Sequence, residues 1–570
     1  MMWKLPEVPV WSCGTLNNIY TKQFIIKYNF NMVAGFSPLD YIIFAAYVLL
    51  IIGVGLWVSR KKDNREKTSQ DYFLASKSLT WWAVGASLIA ANISAEQFIG
   101  MSGSGFAIGL GIASYEWMAA ITLIIVGKYF LPVFLKANIY TMPQFIERRY
   151  DNRVRTILAV FWILVYVFVN LTSVLYLGAL AMNTIMGIPL IYGIVGLALF
   201  AAVYSLYGGL SAVAWTDVIQ VVFLVGGGLL TTFLALDAIP GTHGIVDSAR
   251  FIFERAPEKF HMILDKSNPN YMDLPGISVL VGGLWVANLY YWGFNQYIIQ
   301  RALAAKNQRE AQHGIIFAGF LKILIPVIVV VPGITAYVMT SDPGILSTLG
   351  DEGAKNLPSL AHADRAYPWL LGLLPFGIKG LAFAALAAAI VSSLASMLNS
   401  TATIFTMDIY PQLVKQKVSE TKMVTVGRLT AAIALVIAVL IAPMLQTLDQ
   451  AFQYIQEYTG MVSPGVLAIF LFGLFWKRAT NNSALWAAVL TIPVSAFFKF
   501  AFPDMPWMDQ MGISFLVISA VIVLISFLEG KESHPNAIPV SRSLFKTDTA
   551  FNVGAVAIMA IIMTLYIIFW

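Results

Sequence analysis

The hydrophobic positions of this chain fall in long runs of about 20 residues, and its polar positions fill the short gaps between them. That spacing is the length of helix a bilayer demands, because no water inside it can satisfy open backbone groups. Fourteen such runs are readable, near 40–59, 80–106, 110–134, 156–185, 187–206, 211–236, 276–300, 313–339, 374–406, 424–444, 449–474, 481–501, 510–528 and 550–569. The pattern predicts an all-α polytopic membrane protein with 14 transmembrane helices. One run is interrupted. From Ala90 to Met101 it reads Ala-Ala-Asn-Ile-Ser-Ala-Glu-Gln-Phe-Ile-Gly-Met, which sets Asn92, Ser94, Glu96 and Gln97 at membrane depth. A central acidic residue costs roughly 2.5–3.5 kcal/mol on insertion scales. Polar or irregular backbone is tolerated there when it lines a cavity in the protein. The run therefore predicts a discontinuous helix that holds a solute or an ion, as in a transporter.

Charge in the gaps adds orientation. Basic clusters occur at Arg60 to Lys67, Arg148 to Arg155, Arg301 to Arg309, Lys415 to Arg428, Lys477-Arg478 and Lys531 to Lys546, each after an odd-numbered run. All share one side, which the positive-inside rule makes the cytoplasm. The expectation is a plasma membrane protein (the inner membrane of a bacterium) with both termini outside. The long segments 237–275 and 340–373 then lie outside as well, and 207–211 is an inside loop without basic residues. Only 12% of residues are charged and 58% are hydrophobic, against about 25% charged in an average soluble domain. The net charge of +6 consequently reads as an orientation signal rather than a nucleic-acid footprint. The single cysteine, Cys13, excludes an internal disulfide and a cysteine metal cluster. Residues 1–36 lack a signal-peptide pattern and read as an N-terminal extension, with Met32 as an alternative start.

A weak internal repeat divides the chain. Ala-Asn92-Ile-Ser in the second run is echoed by Ala-Asn288-Leu-Tyr in the seventh, and each begins a group of five runs. An odd number of crossings inverts the second group, and paired interruptions point to an inverted-repeat transporter with a midplane site. The expected units are 37–79 (first helix and cytoplasmic loop), 80–236 (first repeat), 237–275 (outer loop), 276–474 (second repeat) and 475–570 (three C-terminal helices).

The run Tyr204-Ser-Leu-Tyr-Gly-Gly-Leu-Ser-Ala-Val-Ala-Trp-Thr-Asp217-Val-Ile-Gln220 resembles a hallmark of the sodium/solute symporter family. Ala90 to Gly105, Trp285 to Arg301, Phe383 to Asp408 and Ala451 to Gly460 are similar to the bacterial sodium/galactose branch of that family. The resemblance implies fourteen helices, a five-plus-five inverted repeat and symport of Na⁺ with a hexose. It gives Gln97, Glu116, Asn288, Lys322 and Gln456 the role of sugar contacts, with Tyr291 stacking on the ring. By the same resemblance Met101 and Phe452 cap the outward side, Tyr291 closes the inward path, and Tyr115, Tyr290 and Trp292 complete the gate. Na⁺ takes side-chain oxygens from Ser392 and Ser393 and carbonyls from Ala90, Ile93 and Ala389. Asp217 matches the acid on the inward Na⁺ exit route. Ala119 departs from the pattern, which has serine there, and this puts strict galactose selectivity in doubt.

On the residues alone, Asn288 and Gln456 are equally readable as interhelical hydrogen bonds, Lys322 and Glu116 as a buried structural pair, and Asp217 as an interfacial cap or an ion pair with Arg301. No Walker motif, metal-ligand spacing or nucleophile–base set is present, so the chain reads as no enzyme and without a cofactor beyond co-transported Na⁺. The expected partners are a hexose, Na⁺ and the lipid bilayer, not nucleic acid, with a homodimer left open. Rivals are a sodium symporter for myo-inositol, proline or a nucleoside, a proton-coupled carrier, and a passive uniporter or channel.

Overall fold

A computed structural model describes residues 36–59, 78–139, 141–349, 356–414, 419–447, 451–530 and 532–570. The expected extension 1–36 with Cys13 and Met32, the basic cluster 60–67 and part of the cluster 415–428 thus lie outside the described residues. What is described is helical; no strand occurs there, and Leu79 and Ala305 form an isolated bridge. Among the described residues nine helices are long and apolar enough to cross a membrane alone. A tenth is the pair Phe452–Gly460 and Ser463–Phe475, bent by 48°.

The helices sort by burial. The most apolar stretch of Ile378–Val414 is 94% buried, whereas the three C-terminal helices bury only 22–28% of theirs. The central helix is rich in Ala, Ser and Gly between Ile378 and Ile404. Small side chains let helices approach closely in lipid, where apolar burial supplies little drive to associate. It packs chiefly against Leu190–Asp237. That element differs from expectation, since its 48 residues form one helix through the loop assigned to 207–211. Gly208 and Gly209 do not end it, because glycine lowers helix propensity without removing a backbone donor as proline does. At 1.5 Å per residue the element's path along the chain is ~72 Å, more than twice a ~30 Å hydrocarbon core, so it has the length for two passes, Leu190–Val203 and Trp215–Asp237.

Two interruptions organise the centre. The helix Trp81–Asn92 ends at Ile93, which is extended (φ −78°, ψ 110°), and helix resumes with the π-turn segment Glu96–Met101 and then Ser102–Ala107. This is where the polar pattern placed it. The second interruption is not at Asn288. Helix Gly283–Phe294 runs through Asn288, and the chain opens at Asn295 with nearly the same dihedrals (φ −78°, ψ 120°) before Gln296–Leu303. An asparagine breaks a helix when its side chain competes for nearby backbone. The Asn288 amide does bond the backbone, one turn back at the Leu284 carbonyl at 3.2 Å, but takes a second lone pair there without displacing the helical N–H, which leaves the helix whole. The long helix Gln308–Ser341 packs along both halves of the first broken helix.

Candidate functional site

One cavity of about 60 Å³ lies between the two broken helices, and the sequence-assigned solute residues all border it. Gln97, Glu116, Asn288, Lys322, Gln456 and Tyr291 line it together with Met101, Tyr115, Tyr290, Trp292 and Phe452. Five elements therefore converge there. The wall also includes Asn92 and Glu96 of the polar break, Thr459, Ser463 and Trp507, for which no role was expected, and Ala119 at the position of the missing serine. The aromatic part is close-packed, with the Tyr115 and Phe452 rings edge to face at 5.4 Å and Tyr291 against Trp292 at 5.3 Å. Gly100 permits this. A Cβ there would sit 2.9 Å from the Phe452 Cβ.

The polar part is a chain of hydrogen bonds. The Lys322 ammonium, buried and 4.9 Å from the centre of the Trp292 ring, donates to a Glu116 carboxylate oxygen and to Asn92 Oδ1. Asn92 Nδ2 donates to the Tyr291 hydroxyl at 2.9 Å, and that hydroxyl bonds the Tyr297 hydroxyl. The two interruptions are thus joined, since Asn92 ends the first helix segment while Tyr291 and Tyr297 flank Asn295. A buried pair of opposite charges is tolerated when such extra hydrogen bonds satisfy its remaining atoms.

The first interruption caps itself. Ser94 N–H donates to Gln97 Oε1 at 2.9 Å, and Glu96 N–H donates to Ser94 Oγ at 3.0 Å, the reciprocal arrangement of a capping box. Gln97 thereby spends its oxygen on the backbone and keeps its amide N–H groups for the cavity. Because Ser94 N–H turns to Gln97, the Ala90 carbonyl lacks its usual i+4 donor. The second interruption is capped from elsewhere. The Tyr166 hydroxyl donates to Asn295 Oδ1 and accepts from Tyr297 N–H at 3.4 Å.

Of the residues assigned to Na⁺, Ser393 meets the first interruption, its hydroxyl donating to the Ala91 carbonyl at 3.1 Å. Ala90, Ile93 and Ala389 are fully buried. Ser392, beside Ser393 in sequence, reaches Asp217. Its hydroxyl donates to Asp217 Oδ1 at 2.5 Å, and Ser87 donates to Asp217 Oδ2 at 2.6 Å. Asp217 is fully buried, which places it inside the bundle beside Ser392 rather than at an interface. Ser87 had no signal in the sequence, since a lone serine in an apolar helix most often bonds its own backbone. Toward the 237–275 segment, Lys259 Nζ donates to the Ala107 carbonyl at 2.6 Å and lies 4.1 Å from the centre of the Tyr337 ring. It closes the C-terminal end of the first broken helix, where open carbonyls attract a cation.

Residues 72–491 match the sodium:solute symporter family. The chain belongs to that family. It is 62% identical over 541 residues to the sodium/glucose cotransporter of Vibrio parahaemolyticus, covering 95% of this chain and 100% of that one. It is 34% identical to the sodium/myo-inositol cotransporter 2 of Oryctolagus cuniculus, over 80% of this chain and 68% of the relative. Among solved structures it is similar to a Na⁺-coupled sialic acid symporter in a substrate-bound, outward-open state. The TM-score is 0.74 at 25% identity, covering 86% of this chain and 98% of the other. A nucleobase-cation-symport-1 transporter shares the fold at a TM-score of 0.50 and 14% identity, over 85% and 97% of the two chains. As a sodium:solute symporter the chain is a multi-pass membrane transporter that moves its solute with Na⁺. Transport, rather than catalysis, is what membership assigns to the cavity.

Proposed function

We propose that this chain is a sodium-coupled sugar symporter for hexoses of the glucose and galactose type, working by alternating access. The observation that carries the reading is the single cavity in which Gln97, Glu116, Asn288, Lys322 and Gln456 converge beside the aromatic side chains of Tyr291 and Trp292. Several donors and acceptors around an apolar ring face suit a polyhydroxylated ring. A site built for hydroxyls rejects a ligand that leaves its buried polar groups unpaired. The 62% identity to a sodium/glucose cotransporter supports the same solute class. Na⁺ is held by Ser393 and Ser392 with the carbonyls of Ala90, Ile93 and Ala389, at the C-terminal end of a half-helix, where unwound carbonyls coordinate such ions in broken-helix transporters. Asp217 passes the ion inward from Ser392. Met101, Tyr115 and Phe452 gate the outer side, and Tyr290, Tyr291 and Trp292 the inner. A six-carbon sugar requires these aromatics to move apart from the space they now leave.

The architecture we assign is fourteen crossings. The ten above are joined by Pro38–Ser59, the two broken helices and Leu190–Val203, with the five-helix repeats 80–236 and 276–474 inverted and both termini outside a bacterial inner membrane. Because the interruptions lie at Ile93 and Asn295, the repeat axis relates these residues rather than Asn92 and Asn288. A polyol such as myo-inositol is the second reading, favoured by Ala119 in the cavity wall and by the myo-inositol relative.

Reconstitution in liposomes tests the function. Labelled galactose and glucose accumulate under an inward Na⁺ gradient but not under K⁺ or H⁺ gradients. Ser393→Ala abolishes the sodium stimulation; accumulation driven by H⁺ alone, or full sodium dependence in that variant, overturns the assignment.

A further inference from the structure

We infer that Glu96, a carboxylate none of the site assignments uses, is a sugar-contacting residue that sets which hydroxyl pattern the site accepts. The inference rests on the hexose-symport reading and adds a specificity determinant to it. Glu96 lines the same cavity as Gln97 and Met101. All three lie on the π-turn segment Glu96–Met101, whose wider turn brings residues five apart onto one side. The side chain is more than nine-tenths buried and has no cationic partner among the described residues. Glu116, by contrast, is occupied by Lys322.

Donor accounting leaves acceptor capacity on Glu96, whose two carboxylate oxygens are reached by the Asn170 side chain as well as by Ser173. Its hydroxyl neighbour is Ser173, whose Oγ lies 3.2 Å from Glu96 Oε1, 3.1 Å from the Asn170 carbonyl and 2.5 Å from the Val169 carbonyl. A serine hydroxyl has one proton, and the shortest of the three contacts takes it. The acceptors Gln97 Oε1 and Asn92 Oδ1 are already engaged, by Ser94 N–H and by Lys322. The strongest acceptor left facing the cavity is therefore the Glu96 carboxylate. Its match is a hydroxyl donor, and a pyranose presents several. A buried carboxylate also sits favourably at the start of a half-helix, whose open N–H groups stabilise negative charge. Where Ala119 gives up one hydroxyl contact relative to the family pattern, Glu96 supplies another from the facing element, so hydroxyl selectivity is relocated instead of lost.

The test is equilibrium binding of galactose, glucose and their monodeoxy analogues to the purified full chain in saturating Na⁺, for the wild type, Glu96→Gln and Glu96→Ala. Hydrogen bonds to charged groups lead us to expect roughly tenfold to hundredfold weaker binding of the parent hexose in Glu96→Ala. One particular deoxy analogue should lose a similar factor in the wild type, and that difference should vanish in Glu96→Ala and shrink in Glu96→Gln, whose amide oxygen still accepts. A purely structural role for Glu96 would weaken all analogues alike and leave the deoxy profile unchanged, which overturns the assignment. Parent-hexose binding within twofold of wild type in Glu96→Ala also overturns it. Absence of any sodium-dependent hexose binding by the wild type overturns the hexose reading and this inference together, whereas wild-type binding with an unchanged deoxy profile removes only Glu96.

Discussion

The two interruptions share a geometry but not a support. Ile93 and Asn295 have the same φ and differ by 10° in ψ, so each opens its helix through one extended residue. At the first, the freed groups are satisfied by Ser94 and Gln97, close in sequence, and the flanking Asn92 is held by the charged Lys322. At the second, the cap is the Tyr166 hydroxyl of a distant helix, a bond between neutral groups, with the Arg301 guanidinium reaching the break only at the Tyr297 carbonyl beyond it. The first is thus a self-contained binding element; the second is a joint whose conformation depends on where another helix stands. In a transporter that division assigns ligand capture to one break and reporting of helix movement to the other.

The largest effect should come from the charge that anchors the first break. Lys322→Met strands the Glu116 carboxylate, and losing one partner of a buried pair costs ~3–5 kcal/mol. Thermal unfolding in detergent should show a severely destabilised protein, and Glu116→Gln with Lys322→Met should recover much of the stability without sugar uptake. An unaltered single variant would mean the anchor is not ionic. The joint should respond differently. Asn295→Ala leaves a buried Tyr166 hydroxyl without its acceptor, at ~1–3 kcal/mol, and adding Tyr166→Phe should relieve most of that. Here sugar affinity in equilibrium binding should survive while the uptake rate falls; equal loss of both would erase the division of labour. Ser94→Ala removes the local cap, worth ~0.5–2 kcal/mol, and should weaken Na⁺ and sugar binding together, read by titrating each ligand against intrinsic tryptophan fluorescence.

The smallest effect concerns Lys259 at the far end of the first broken helix. Burial brings its pKa down to about 8, against a raising influence from Glu258. Undocking this segment restores the ordinary lysine value, so the docked form binds fewer protons between about 8 and 10.5. Rising pH across that window favours docking. Limited proteolysis of 237–275 should slow from pH 7.5 to 9.5 in the wild type and lose that dependence in Lys259→Met.

The same contrast explains what could be read from the chain. The first break was legible because its cap residues lie within four positions and their polarity stands out against lipid-compatible neighbours. The second was displaced to Asn288 because an asparagine's effect depends on what its side chain bonds, and Tyr166, which marks Asn295, is 129 residues away. The solute residues were legible through family motifs, and the structure brings them to one cavity. Glu96, though inside the polar break, was matched to no individual role, and Ser87 carried no motif. Their meaning arises only from spatial neighbours, Ser173 for one and Asp217 for the other.

The Glu116–Lys322 pair also sets a timetable for assembly. The two residues are 206 positions apart, and at ~5–20 residues per second the ribosome needs roughly 10–40 s to travel between them. Through that interval the nascent chain carries an acidic helix whose counterion has not been synthesised. The later helix Gln308–Ser341 therefore does more than complete a wall of the bundle: its arrival is the event that neutralises the earlier one. A chain truncated before Lys322 would present a membrane segment with an unmatched acid, the kind of exposed defect by which quality-control proteases can recognise an unfinished transporter.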